Sequence, residues 1–174
     1  MIPSIIEPQT KPASEWIFGR IVQKARPPYR HANAQARVAS AFLSWADEYG
    51  AGRVGTEWEF RIAPPGEVAR TLVPDVAFLS YVKLGFDQDD AAQMPSIAPN
   101  VAVEVLSPHD RQRNVDEKIR VYLACGTGLV ALADPERQNL TLHDSHGVNV
   151  LQTEDIWRHN ELPNFAMSVA DIFR

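Results

Sequence analysis

Residues 101–106 (VAVEVL) constrain the fold more than any other segment. Successive side chains of a strand point to opposite faces. A β-prone run that is apolar on both faces therefore needs cover on both sides, and it belongs at the centre of a sheet. Ser107 and Pro108 end it. Glu104 is the one polar residue inside. A carboxylate in such a place requires a partner, a shifted pKa or a metal.

The cover comes from two amphipathic segments. Residues 31–49 carry Val38, Ala41, Phe42 and Trp45 at helical spacing, and Gly50 and Gly52 end the helix. Residues 114–125 carry Val115, Ile119, Tyr122 and Leu123 on one stripe. Asn114 is placed to cap this second helix, with Glu117 three residues on. Strands are expected at 16–23, 53–62, 72–79, 129–133, 140–143 and 148–152, from β-branched or alternating apolar residues bounded by Gly and Pro. Residues 83–99 read as an acidic loop with a helical turn, and 165–173 as a closing strand and helical turn. Residues 1–15 hold three prolines and no periodicity, and read as an N-terminal arm. The rest, 16–174, is one domain of the size expected for a single core. Its class is α/β: a mixed β-sheet flanked by α-helices.

Composition narrows the function. The formal net charge of -5 argues against a dedicated nucleic-acid binder with a basic footprint, though not against local basic patches. The single cysteine, Cys125, excludes a disulfide within the chain and reads as a small buried residue. No apolar run approaches a membrane span. The first residues lack a basic region followed by an apolar stretch, so a cytoplasmic location is expected. Motifs of other hydrolases, such as G-x-S-x-G, H-E-x-x-H and the phosphate loop, are absent.

Two acids carry the chemistry. Asp75 follows Pro74 at the opening of an apolar strand, and Glu104 lies inside the central one. Carboxylates from neighbouring strands can share one hard cation such as Mg²⁺. That cation would polarise a phosphoryl oxygen. The alternatives are a structural ion pair from Glu104 to Lys118, Arg111 or Arg120, and a turn-forming role for Asp75 after proline.

The stretches TLVPDVAFLS and PNVAVEVLSPHDRQRNVDEKIRVYLACGTGLVALADPERQNLTLH resemble the Uma-type restriction-endonuclease family of the PD-(D/E)XK nuclease superfamily. The GRIV strand, the PPYRH segment and the final LPNFAMSVADIF resemble the family's ends. The resemblance implies a restriction-endonuclease-like core, with Asp75 and Glu104 as metal ligands and Mg²⁺ or Mn²⁺ as cofactor. The superfamily's lysine two residues after the acid is replaced here by Leu106. The Uma-type pattern carries a lysine on the next helix instead, which implies a catalytic Lys118 that orients the attacking water or offsets phosphate charge. Read alone, Lys118 is a helix lysine paired with Asp116 or Glu117.

Supporting positions follow. His31, at the first helix entrance, is a candidate contact to substrate or to metal-bound water, or an ordinary helix-start histidine. Glu57 and Glu59, two apart on one strand face, could add a carboxylate or simply face solvent. Arg26 and Arg30, with Arg20, Lys24 and Arg37, and a second group of Arg111, Arg113, Lys118 and Arg120, could hold phosphates or be ordinary surface charge. The expected function is a Mg²⁺-dependent endonuclease hydrolysing DNA, with a homodimer suited to cutting both strands. The competing expectation is a catalytically inactive scaffold that binds nucleic acid or a protein. A cation shared by Asp75 and Glu104 favours the first; an ion pair from Glu104 to Lys118 or Arg120 favours the second.

Overall fold

The computed structural model describes residues 10–174. Residues 1–9, most of the expected arm, lie outside that range. The first elements of the described residues are a hairpin of β1 (Ser14–Ile17) and β2 (Arg20–Gln23). The sequence predicts one strand across 16–23, but Phe18 and Gly19 turn back there with φ of 48° and 73°. Ser14 and Glu15, expected in the arm, belong to β1 and are buried.

Helix α1 (Tyr29–Tyr49) follows Pro27 and Pro28 and ends at Gly50, which takes the left-handed conformation at φ 56°. Its buried stripe, Ala34, Val38, Phe42 and Trp45, is the expected 3.6-residue face. Next come β3 (Gly52–Thr56), β4 (Phe60–Ile62), β5 (Arg70–Leu72) and β6 (Val76–Ser80). Two expected strands, 53–62 and 72–79, are thus each broken in two. Glu57, at φ 50°, interrupts the first, and Pro74–Asp75 the second. A short helix, α2 (Asp89–Gln93), stands where a helical turn was expected.

Strand β7 (Val101–Val105) is buried at all five positions. Helix α3 (Gln112–Ala124) crosses to β8 (Leu129–Asp134), which pairs with β7 in parallel. Asn114 lies inside α3 rather than at its cap; Arg111 takes the cap position. The chain ends through β9 (Asn139–Asp144), β10 (Gly147–Leu151), β11 (Ile156–His159), β12 (Leu162–Ser168) and α4 (Val169–Ile172). Strand β11 has no counterpart in the sequence reading.

The main sheet has the order β10-β9-β8-β7-β6-β3 and is antiparallel except for the β7–β8 pair. It is a mixed sheet flanked by helices, as expected. Val101, Val103 and Val105 pack with Val76, Phe78 and the α1 stripe on one face. Phe42 also meets Trp157 and Phe165 of the β11–β12 hairpin, at ring separations of 5.4 and 5.1 Å. On the other face Ala102 and Ala77 pack with Val115, Ile119 and Tyr122 of α3. Strand β7 therefore has helices over both faces, which is why its sequence shows no polar–apolar alternation. Glu104 shares parity with Ala102 and so points toward α3.

Candidate active site

The register of β6 against β7 sets the centre. Val76 lies opposite Val103. One step further along an antiparallel pair puts Asp75 opposite Glu104, with both side chains on one face. Asp75 is nearly inaccessible, at 2% exposure. Its Oδ2 accepts the backbone N–H of Val105 at 2.6 Å, and its Oδ1 accepts Lys24 Nζ at 2.7 Å. His31 Nε2 lies 3.4 Å from Oδ2. Glutamine 35 donates to the Asp75 carbonyl at 2.9 Å and to Glu57 at 3.1 Å.

Glu104 is served from α3. Lys118 Nζ donates to its Oε2 at 2.6 Å and Tyr122 Oη to its Oε1 at 3.2 Å. Four residues separate these donors, so both stand on the same side of the helix. Lys118 also reaches Glu15, 2.8 Å from Oε1. Glu15 Oε1 in turn accepts the N–H of Val73 at 2.8 Å. The ion pair that Glu104 makes is thus with Lys118, not with Arg111 or Arg120, and Lys118 pairs with neither Asp116 nor Glu117. Arg120 is engaged by Glu67 and Glu117 instead.

Electrostatics follow from this crowding. Burial opposes charge on Asp75, but the ammonium of Lys24 and the His31 contact outweigh it and hold the carboxyl below its usual range. Burial pushes Glu104 the other way, up to about 8, with Lys118 opposing and Glu15 and Asp75 reinforcing. Burial also works against the charge of Lys118; Glu104 and Glu15 outweigh it, so that ammonium stays protonated. One buried positive charge serves two acids here, which is why Glu104 retains a proton while Lys118 does not release its own.

A raised carboxyl pKa makes folding take up a proton. Its stabilising contribution is complete below about 4.5 and is lost as pH climbs through about 8. In EDTA, wild-type protein is therefore expected to lose melting temperature between pH 5.5 and 8.5. Glu104→Gln should lose much less over the same interval. Parallel curves for the two proteins would mean that Glu104 is ionised throughout.

These groups line one cavity of about 970 Å³ beneath the β1–β2 hairpin. Asp75, Glu104, Lys118, His31, Glu57 and Glu59 all border it, as do Arg26, Arg111 and Arg113. Arg30 does not: it is exposed and pairs with Glu136 at 3.3 Å. Glu57 and Glu59 do not share a strand face, because they stand in the break between β3 and β4. Glu15, expected in the arm, and Tyr122, expected only on an apolar helix stripe, join the cluster unannounced by any sequence pattern, and Lys24, expected among the bases that could hold phosphates, is engaged by Asp75 and Glu57.

A family model described as "Uma2: Putative restriction endonuclease" matches residues 4–170. Among solved structures, the crystal structure of a "putative nuclease" from Anabaena variabilis is similar, with a TM-score of 0.84 and 26% sequence identity. The match covers 96% of this chain and 93% of that one. No curated protein matches the chain.

Proposed function

The chain belongs to the Uma2 family, and from that membership we propose a nuclease that hydrolyses DNA phosphodiester bonds with Mg²⁺ or Mn²⁺ at Asp75 and Glu104. The observation that carries this reading is the meeting of those two carboxylates across β6 and β7, inside a cavity bordered by Arg26, Arg111 and Arg113. The donor chemistry fits a hard cation: carboxylates of Asp75, Glu104 and Glu57, and the Val73 carbonyl, are all oxygen. Lys24 Nζ already stands among three of these groups as a cation surrogate. Among the described residues no three acid, His or Cys side chains converge to hold an ion alone. Mg²⁺ commonly takes one or two carboxylates and completes its shell with waters and substrate phosphates.

When bound, the ion supplies Lewis-acid polarisation of a phosphoryl oxygen. The chain's own residues do the rest. Asp75 is fixed by the Val105 N–H, so its carboxylate cannot swing away from the cavity floor. Lys118, fixed by Glu15 and Glu104, is assigned to orienting the attacking water and offsetting charge on the phosphate as it builds. Arg26, Arg111 and Arg113 hold the DNA backbone. His31 is assigned to a substrate contact beside Asp75.

One observation favours a second reading. Both acids already have lysine partners, Glu104 with Lys118 and Asp75 with Lys24, as a scaffold that binds nucleic acid without cutting it would. Supercoiled plasmid incubated with pure protein in Mg²⁺, Mn²⁺ or EDTA separates the two. Nicking or linearisation in metal alone is expected. A mobility shift without cleavage in any buffer would establish the scaffold, and cleavage in EDTA would remove the metal from the mechanism.

A further inference from the structure

The ammonium of Lys24 is held more tightly than an ordinary ion pair requires. Its Nζ lies 2.7 Å from Asp75 Oδ1 and 2.9 Å from the Val73 carbonyl oxygen. It lies 3.0 and 3.2 Å from the two oxygens of Glu57. A lysine has three N–H donors and no acceptor, so this all-oxygen cradle saturates it. The side chain is only 14% exposed. Its carboxylate neighbours outweigh the burial that opposes its charge, and the group remains protonated.

The cradle belongs to the same carboxylate that the proposed nuclease chemistry requires. A magnesium ion held through Asp75 Oδ1 would have to share that oxygen with Nζ, which already lies 2.7 Å from it. Two like charges that close, beside a carboxylate only 2% exposed, repel each other strongly. The ammonium and a divalent ion at Asp75 therefore exclude one another. Formal charge points the same way. With Glu104 protonated, the carboxylates of Glu15, Glu57 and Asp75 face the ammoniums of Lys24 and Lys118 at the cavity floor, which leaves one negative charge unmatched, too little to balance a divalent ion beside both lysines, His31 aside. Removing Lys24 would raise that deficit to two.

Lys24 also has a way out. It is the first residue after β2, and its own N–H donates to the carbonyl of Ala13, the residue just before β1. Its four-carbon stem opens onto the cavity, which offers other acceptors to the displaced ammonium.

We propose that Lys24 is a tethered cation that competes with the divalent metal for Asp75, so that metal loading requires its ammonium to leave the Asp75–Glu57–Val73 cradle. The proposal rests on the reading of Asp75 as a metal ligand. It makes Lys24 the residue that sets how much free divalent ion the site needs. A structural role would make the opposite prediction, since a lysine that only braces Asp75 would weaken metal binding when removed.

The test is Mn²⁺ binding by the full chain, followed as loss of the free-ion signal in electron paramagnetic resonance, with no DNA present. Lys24→Met is expected to bind Mn²⁺ at least tenfold more tightly than wild type, and Lys24→Arg, which keeps the charge, to stay within about threefold of wild type. Should Lys24→Met fail to fold, Lys24→Gln removes the charge while keeping hydrogen-bonding capacity and serves the same comparison. Equal or weaker Mn²⁺ affinity in the neutral variant overturns the competition but leaves the Asp75–Glu104 metal reading standing. No Mn²⁺ binding by any of the proteins removes both.

Discussion

Asp75→Asn is expected to lower metal-dependent plasmid cleavage at least about 1000-fold while leaving the protein folded. The substitution keeps the shape of the side chain and removes its charge. An amide binds a hard cation far less well than a carboxylate does, and losing a ligand that positions the ion costs about 4 kcal/mol of transition-state stabilisation, or three orders of magnitude. The structural cost is smaller. Asp75 accepts from the Val105 N–H and from Lys24, and an asparagine has one acceptor oxygen for those two donors. One buried donor then loses its partner, at about 1–3 kcal/mol. Initial nicking rates in Mn²⁺, with a thermal melt of the same sample, check both parts. A variant that retains a tenth of the wild-type rate would show that Asp75 does not hold the ion.

The parts of this site that could be read in advance are those encoded locally. Residues 101–105 announce a doubly covered strand because every side chain there is apolar except one, and the structure buries all five. The helix stripe through Val38, Phe42 and Trp45 is likewise a property of one segment. The pairing of Asp75 with Glu104 needed one assumption, that two strands 25 residues or so apart are neighbours. The parts that were missed depend on separations along the chain that no local pattern records. Lys118 meets Glu15 across 103 positions, and Lys24 meets Asp75 across 51. The hairpin that carries both Glu15 and Lys24 turns at Phe18-Gly19, not at an Asn-Gly or Asp-Gly pair, so its turn was silent. Glu57 breaks a strand by adopting φ 50°, a conformation that glutamate rarely takes and that its sequence neighbours do not signal. A strand read as continuous across it put Glu57 and Glu59 on a shared face that does not exist.

The lysine on α3 has a still larger expected effect on the fold than Asp75 has. Lys118→Met removes the only ammonium among the described residues that touches Glu104 and Glu15, both of which are buried. Without the lysine the buried Glu15 carboxylate loses its ammonium, and breaking a buried ion pair from one side costs about 3–5 kcal/mol. For a chain of this length that corresponds to a fall in melting temperature of about 6–20 °C. The loss should depend on pH with a definite sign. Lys118 is the main group that lowers the Glu104 pKa toward its ordinary value. Without it the carboxyl must stay protonated to remain buried, so stability falls more steeply through alkaline pH than in wild type. Glu104→Gln introduced into Lys118→Met removes the acid that the lysine served. The pair of changes is then expected to cost clearly less than the two single changes together, with a coupling above about 1 kcal/mol. Additive losses in that double-mutant cycle, or a Lys118→Met protein that melts within about 2 °C of wild type, would mean that other groups carry the charge of the buried acids and that Lys118 does not organise the floor of the site.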